Sequence, residues 1–130
     1  MLFIPHFIKR EQAMIINVTS GLAFVPMSAM SMYCTTKAAL HSFTISLRHQ
    51  LQFSSIRVVE IVPPAVDTDL GGVGLHKFGE NLDEFADHIF VKLLESDDNV
   101  EIGFKMSESL RNASAEQRAV IFSRLNSVTH

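Results

Sequence analysis

Met14-Ile15-Ile16-Asn17-Val18-Thr19-Ser20-Gly21 is a short apolar run that ends in a turn signal. Ile15, Ile16 and Val18 are β-branched, and apolar residues of both parities read as a strand buried on both faces, as in a parallel sheet. Ser20-Gly21 breaks the run, since both residues favour tight turns. Downstream, residues 28–31 offer several N-cap candidates for a long helix reaching about Phe53, with Leu40, Phe43, Leu47 and Leu51 as its apolar stripe. Ser54-Ser55 ends that helix, and residues 57–62 read as the next parallel strand, closed by Pro63-Pro64. A strand, a crossover helix and a second parallel strand form a unit that is almost always right-handed.

The alternation continues towards the C-terminus. Residues 67–80 form one long irregular connection, of the length that often serves as a lid or binding loop. Asn81-Leu82-Asp83-Glu84 predicts a capping box. The helix that follows carries a wide stripe of Leu82, Phe85, Ala86, Ile89, Phe90, Leu93 and Leu94. Residues 100–104 read as a short last strand. Ser114 and Gln117 predict another box, opening a terminal helix to about Asn126 with Val120, Phe122 and Leu125 as its apolar contacts.

Composition excludes several classes. The chain of 130 residues is 47% hydrophobic and 19% charged, which suits a globular unit with a core and not a disordered one. Its net charge of −3 gives no reason to expect a nucleic-acid partner. Cys34 is the single cysteine, so no intrachain disulfide forms, and a reducing, cytoplasmic compartment is expected. Residues 1–8 are apolar apart from His6, but Pro5 interrupts them and Lys9-Arg10-Glu11 follows. They are too short to span a bilayer, and their charge lies on the wrong side for a signal peptide. The tail of a helix is the better description, and no membrane partner is expected. Asn17-Val18-Thr19 and Asn112-Ala113-Ser114 match the glycosylation pattern by chance. The six histidines (His6, His41, His49, His76, His88, His130) show no metal spacing and are expected on the surface or in loops, so no metal is assigned.

Chemistry concentrates around Tyr33-Cys34-Thr35-Thr36-Lys37 and Ser20. A phenol suits acid–base work on a carbonyl or alcohol oxygen, although its unperturbed pKa is near ~10. Residues four apart share a helix face, which lets the Lys37 ammonium favour the phenolate by charge. A serine hydroxyl both donates and accepts. Such a set suits proton exchange with an oxygen whose carbon gains or loses a hydride. Each residue also has a duller role: Tyr-x-x-x-Lys occurs on many helices, Ser20 fits a turn after a strand, and Thr68 fits a cap before Asp69-Leu70. Phe24, Met27, Met30 and Met32 suit an apolar substrate pocket or core packing equally.

Asn17-Val18-Thr19-Ser20-Gly21, Tyr33-Cys34-Thr35-Thr36-Lys37-Ala38-Ala39 and Pro63-Pro64-Ala65-Val66-Asp67-Thr68 resemble, in order and spacing, the short-chain dehydrogenase/reductase family. Gly21-Leu22-Ala23-Phe24-Val25-Pro26 and Asp67-Thr68-Asp69-Leu70-Gly71-Gly72 are most similar to the oxidoreductases of bacterial D-alanylation operons and their fungal relatives. The resemblance covers the C-terminal half of that family's domain. It implies an α/β, Rossmann-type three-layer fold with a parallel sheet, residues 1–130 being one partial NAD(P)-binding domain without its N-terminal cofactor-binding half. It implies NAD or NADP as cofactor and a small carbonyl or alcohol substrate. Tyr33 would be the general acid/base, and Ser20 would polarise the substrate oxygen. Lys37 would assist Tyr33 and hold the nicotinamide ribose, while Thr68, with the backbone around Val66, would anchor the carboxamide. Pro64 stands where the family usually has glycine, which removes one backbone donor.

A dinucleotide site also needs a glycine-rich turn between a strand and a helix. The one glycine cluster, Gly71-Gly72-Val73-Gly74, is framed by neither and reads as a loop. Two functions therefore stand side by side: part of an NAD(P)-dependent oxidoreductase, or a non-catalytic remnant that acts only as a folded or oligomerising module. In the family the long helix commonly pairs with its copy in a second subunit. Ile45 and Phe53 lie beyond its main stripe, so a homodimer or larger assembly is expected.

Overall fold

The computed structural model describes residues 2–127, so the first residue of the N-terminal stretch and the expectation for His130 lie outside the described residues. Three strands, β1 (Ala13–Val18), β2 (Ile56–Val62) and β3 (Glu101–Gly103), form a parallel sheet in the order β1-β2-β3. The register sets Ala13 opposite Ile56, Val18 opposite Ile61, and Glu60 opposite Glu101. On one face lie the short α1 (Ile4–Phe7) and the long α2 (Ser31–Gln50), whose Leu47 packs on Ile56 and Val58. On the other face α3 (Leu82–Glu95) sets Ile89 against Val59 and Ile102. Two helical layers enclosing a parallel sheet are the expected α/β, Rossmann-type arrangement. Two further helices, α4 (Met106–Asn112) and α5 (Ala115–Leu125), follow β3. Among the described residues no helix is long and apolar enough to cross a membrane.

Several expectations change. β1 is not buried on both faces: Met14, Ile16 and Val18 are 41–47% exposed. The physical reason is that α3 packs over β2 and β3 and leaves the same face of β1 uncovered among the described residues. The stripe of α2 also differs, because Phe43 faces outward and the sheet-facing side is largely polar. Thr44 accepts from Asn17 Nδ2 at 3.0 Å, and Arg48 donates to the carbonyls of Val58 and Val100, each at 2.9 Å. Asn17 is thus engaged inside the sheet layer, away from any glycosylation role.

On α3, Phe85, Ala86, Ile89 and Leu93 turn inward while Leu82, Phe90 and Leu94 are exposed. Asn81 caps this helix, accepting from the Glu84 N–H at 3.0 Å. Only this half of the expected box forms, since the Glu84 carboxylate lies 3.4 Å from Lys105 Nζ. The α5 box is complete, yet Val120, Phe122 and Leu125 are exposed. That helix is held instead by Asn126, whose side chain bonds the Ser28 N–H and the Pro26 carbonyl.

Candidate active site

In a parallel sheet all strands point their carboxyl ends the same way, and ligands of open α/β folds bind there. Ser20 follows β1 at that end, and residues 63–68 follow β2. Beyond β1 the ladder continues through Thr19 N–H to the Ile61 carbonyl (2.9 Å) and Gly21 N–H to the Pro63 carbonyl (3.0 Å). Ser20 is buried and extended, and its hydroxyl accepts from Leu22 N–H at 3.1 Å, capping the 3₁₀ turn Gly21–Ala23. The backbone at Gly21 is closely approached: a Cβ there would sit 3.1 Å from Leu110 Cδ1 and 3.2 Å from Ser107 Cβ, so those side chains would have to give way slightly. The helix that approaches so closely is α4, for which the sequence carries little signal. Its Ser107 is fully buried and donates to the Val62 carbonyl at 2.6 Å, fixing the end of β2 as well.

Tyr33 and Lys37 lie one turn apart near the start of α2, which begins at the same end of the sheet. Lys37 Nζ is 5.7 Å from the centre of the Tyr33 ring and donates to the Val18 carbonyl at 3.0 Å. The lysine therefore joins the tyrosine helix to the strand end that leads into Ser20. Both side chains are half-buried.

The remaining site residues sit where the long loop leaves and returns. Val66 forms a parallel bridge with Glu80, through Asp67 N–H to the Glu80 carbonyl and Glu80 N–H to the Ala65 carbonyl, each 2.8 Å. Lys105 pins the returning end by ion pairs with Glu80 and Glu84, which hold its own ammonium above the usual lysine range, the Glu80 hydrogen bond foremost. Thr68 Oγ1 faces Leu70 N–H at 3.4 Å, a weak version of the capping role. Leu70, Val73, Leu75 and Phe78 of this loop are exposed.

Lys37, bonded to the end of β1, and residues 63–68, which follow β2, both lie at the strands' carboxyl ends. Gly71, Gly72 and Gly74 all adopt positive φ, but in successive turns and with no helix following directly. The next helix, α3, opens with Asp83 and Glu84, which repel a phosphate. Among the described residues the glycine cluster is therefore not framed as a pyrophosphate-binding turn.

Glu60 and Glu101, near the site, escaped the sequence reading, and His41 was expected on the surface or in a loop. Glu60 on β2 is fully buried, accepts the Thr19 hydroxyl at 2.6 Å, and has His41 Nδ1 at 2.9 Å from both carboxylate oxygens. His41 is thus no loop histidine; it lies on the sheet-facing side of α2. The available signal was a carboxylate inside the apolar run Val58-Val59-Glu60-Ile61-Val62. His41, Glu60 and Glu101 bring three donor atoms within 4.8 Å of one another. His41 and Thr19 already occupy Glu60, and Arg111 lies 3.5 Å from Glu101.

A family model described as short chain dehydrogenase matches residues 1–74. An uncharacterized oxidoreductase of Bacillus subtilis, DltE, is 41% identical over 130 residues, covering 96% of this chain and 51% of the relative. An NADP-dependent 3-hydroxy acid dehydrogenase of Schizosaccharomyces pombe is 34% identical over 73 residues, covering 56% of this chain and 28% of the relative. A short chain dehydrogenase from Burkholderia cenocepacia, solved in complex with NADP, superposes with a TM-score of 0.80 at 25% identity, over 95% of this chain and 52% of that one. The chain thus spans about half the length of the Bacillus relative.

Proposed function

Because this chain belongs to the short-chain dehydrogenase family, we propose that it carries the proton-transfer set of an oxidoreductase acting between NAD(P) and a small carbonyl or alcohol substrate. The observation that carries this is the placement of Lys37, 5.7 Å from the Tyr33 ring and bonded to the strand end that leads into Ser20. In the reducing direction the Tyr33 hydroxyl gives its proton to the substrate oxygen, and in the oxidising direction the phenolate takes it back. The Ser20 hydroxyl hydrogen-bonds the same oxygen and fixes its orientation. Lys37 keeps a positive charge beside the phenol and offers its remaining N–H groups to ribose hydroxyls. Thr68 and the backbone at Val66 hold a carboxamide; Pro64 withholds one N–H from that turn.

NAD(P), when bound, supplies or accepts the hydride. Residues 1–130 act as one partial Rossmann-like domain, completed by groups outside the described residues that meet the pyrophosphate. A cytoplasmic setting suits the single, buried Cys34.

The test is a chimera in which the N-terminal half of the Bacillus subtilis relative precedes residue 1. NADPH-dependent reduction of a carbonyl panel, lost on Ser20→Ala, supports the proposal. A folded chimera that binds NADPH without turning over any carbonyl supports the alternative, a non-catalytic module.

A further inference from the structure

We propose that Glu60 and His41 are positioning residues for Ser20, acting through Thr19; the catalytic consequence rests on the oxidoreductase function above. A carboxylate with no exposure is costly unless donors surround it. Glu60 receives the Thr19 hydroxyl on Oε1 and His41 Nδ1 across both oxygens. On this face of β2 its neighbours are Val58 and Val62, so an apolar side chain would satisfy packing alone. What the carboxylate adds is direction. It fixes the side chain of the last residue before Ser20 by a bond of charge-assisted type, which is stronger than a neutral one.

The same cluster reaches the other half of the site. His41 stands one turn after Lys37 on α2 and packs on the Phe24 ring, with centroids 4.6 Å apart. Phe24 closes the 3₁₀ turn that Ser20 opens, its N–H bonding the Gly21 carbonyl at 3.1 Å. Glu60 therefore lies between the Ser20 turn and the Lys37 helix and holds both. Glu101, its neighbour across the sheet, keeps a carboxylate oxygen within 4.8 Å of Glu60 and His41 and pairs with Arg111 at 3.5 Å, while the hydrogen bonds of Glu60 go to His41 and Thr19. A bond lost at Thr19 frees the strand exit to rotate, and Ser20 loses its fixed approach to the substrate oxygen.

Amide hydrogen exchange in the chain itself tests this without any turnover. Leu22 N–H reports the Ser20 hydroxyl, and Gly21 N–H reports the turn's attachment to Pro63. Thr19→Val keeps the shape and removes the hydroxyl. Exchange at both amides is expected to quicken by about tenfold or more, Val59 in the sheet staying unchanged, and Thr19→Ser is expected to restore protection. If Thr19→Val alone fails to fold, the double variant Thr19→Val/Glu60→Leu removes both partners and leaves no orphaned buried charge. It is expected to show the same quickening. Unchanged exchange at Leu22 and Gly21 in folded variants overturns the proposal. In the chimera, Thr19→Val is expected to lower kcat with the KM for NADPH unchanged. An inactive wild-type chimera defeats the oxidoreductase function, and the exchange result still decides the positioning role.

Discussion

Replacing Gly79 by alanine places a methyl group 2.6 Å from the carbonyl carbon of Val66 and 2.7 Å from the Asp67 nitrogen. Ordinary contact begins at 3.4 Å, so the two backbones must part by about 0.8 Å. The two bonds that tie them, Asp67 N–H to Glu80 and Glu80 N–H to Ala65, then stretch from 2.8 Å beyond bonding distance. At about 1 kcal/mol each, their loss is worth about 2 kcal/mol, or a factor of about 30 in the opening of the bridge. The effect stays local, because Val59 and Ile89 on the far side of β2 are untouched. Amide exchange read residue by residue is the assay: Asp67 and Glu80 are expected to lose protection about 30-fold, with Val59 unchanged. If both bridge amides keep wild-type protection in the folded variant, the close approach at Gly79 does not hold the Val66–Thr68 segment in place.

Other consequences follow from the same geometry. The isolated chain is expected to bind NAD(H) or NADP(H) only weakly, since the described residues cradle no pyrophosphate; calorimetric saturation on the order of micromolar contradicts this. A homodimer through α2 is expected, because Ile45 (47%) and Phe43 (45%) both face outward; Ile45→Lys should yield a monomer by light scattering, and an unchanged mass excludes pairing there. The Arg111 guanidinium, with Asn112 and the Gly103 N–H, holds the Glu108 carboxyl below its usual range. Its stabilising effect is therefore complete above the unfolded value of about 4.3 and is lost as pH falls through the lower folded value. Thermal melts of Glu108→Gln should show a shallower acid decline than the wild type, and an identical decline refutes that linkage.

Local signals were the legible ones. The β-branched run before Asn17, the proline stop at Pro63 and the Ser114–Gln117 box act within a few residues, so their patterns sit in the sequence itself. The order and spacing of Ser20, Tyr33, Lys37 and Thr68 are read from the chain in the same way, and their shared chemistry is the proposal made above. That Lys37 bonds Val18 was not legible, because it depends on where α2 lies across the sheet. The sheet-facing side of α2 misled for a related reason: Lys37, His41, Thr44 and Arg48 look solvent-facing until strand carbonyls, the Asn17 side chain and Glu60 supply partners. α4 was hidden because its start uses Lys105 at a φ of 48° and a Ser107 hydroxyl bonded to Phe104 N–H, neither of which resembles an ordinary cap. The apolar run in β1 is half-buried on the α2 side alone, at Ala13 and Ile15. Whether its other face is covered depends on elements more distant than any local pattern.

Turnover of the chimera with Tyr33→Phe tests the central claim most directly. The substitution removes one hydroxyl and leaves the ring beside Lys37. The account predicts that NADPH still binds while carbonyl reduction falls by about 10²–10⁴-fold, the loss of a general acid. Carbonyl reduction at the wild-type rate by Tyr33→Phe would contradict it.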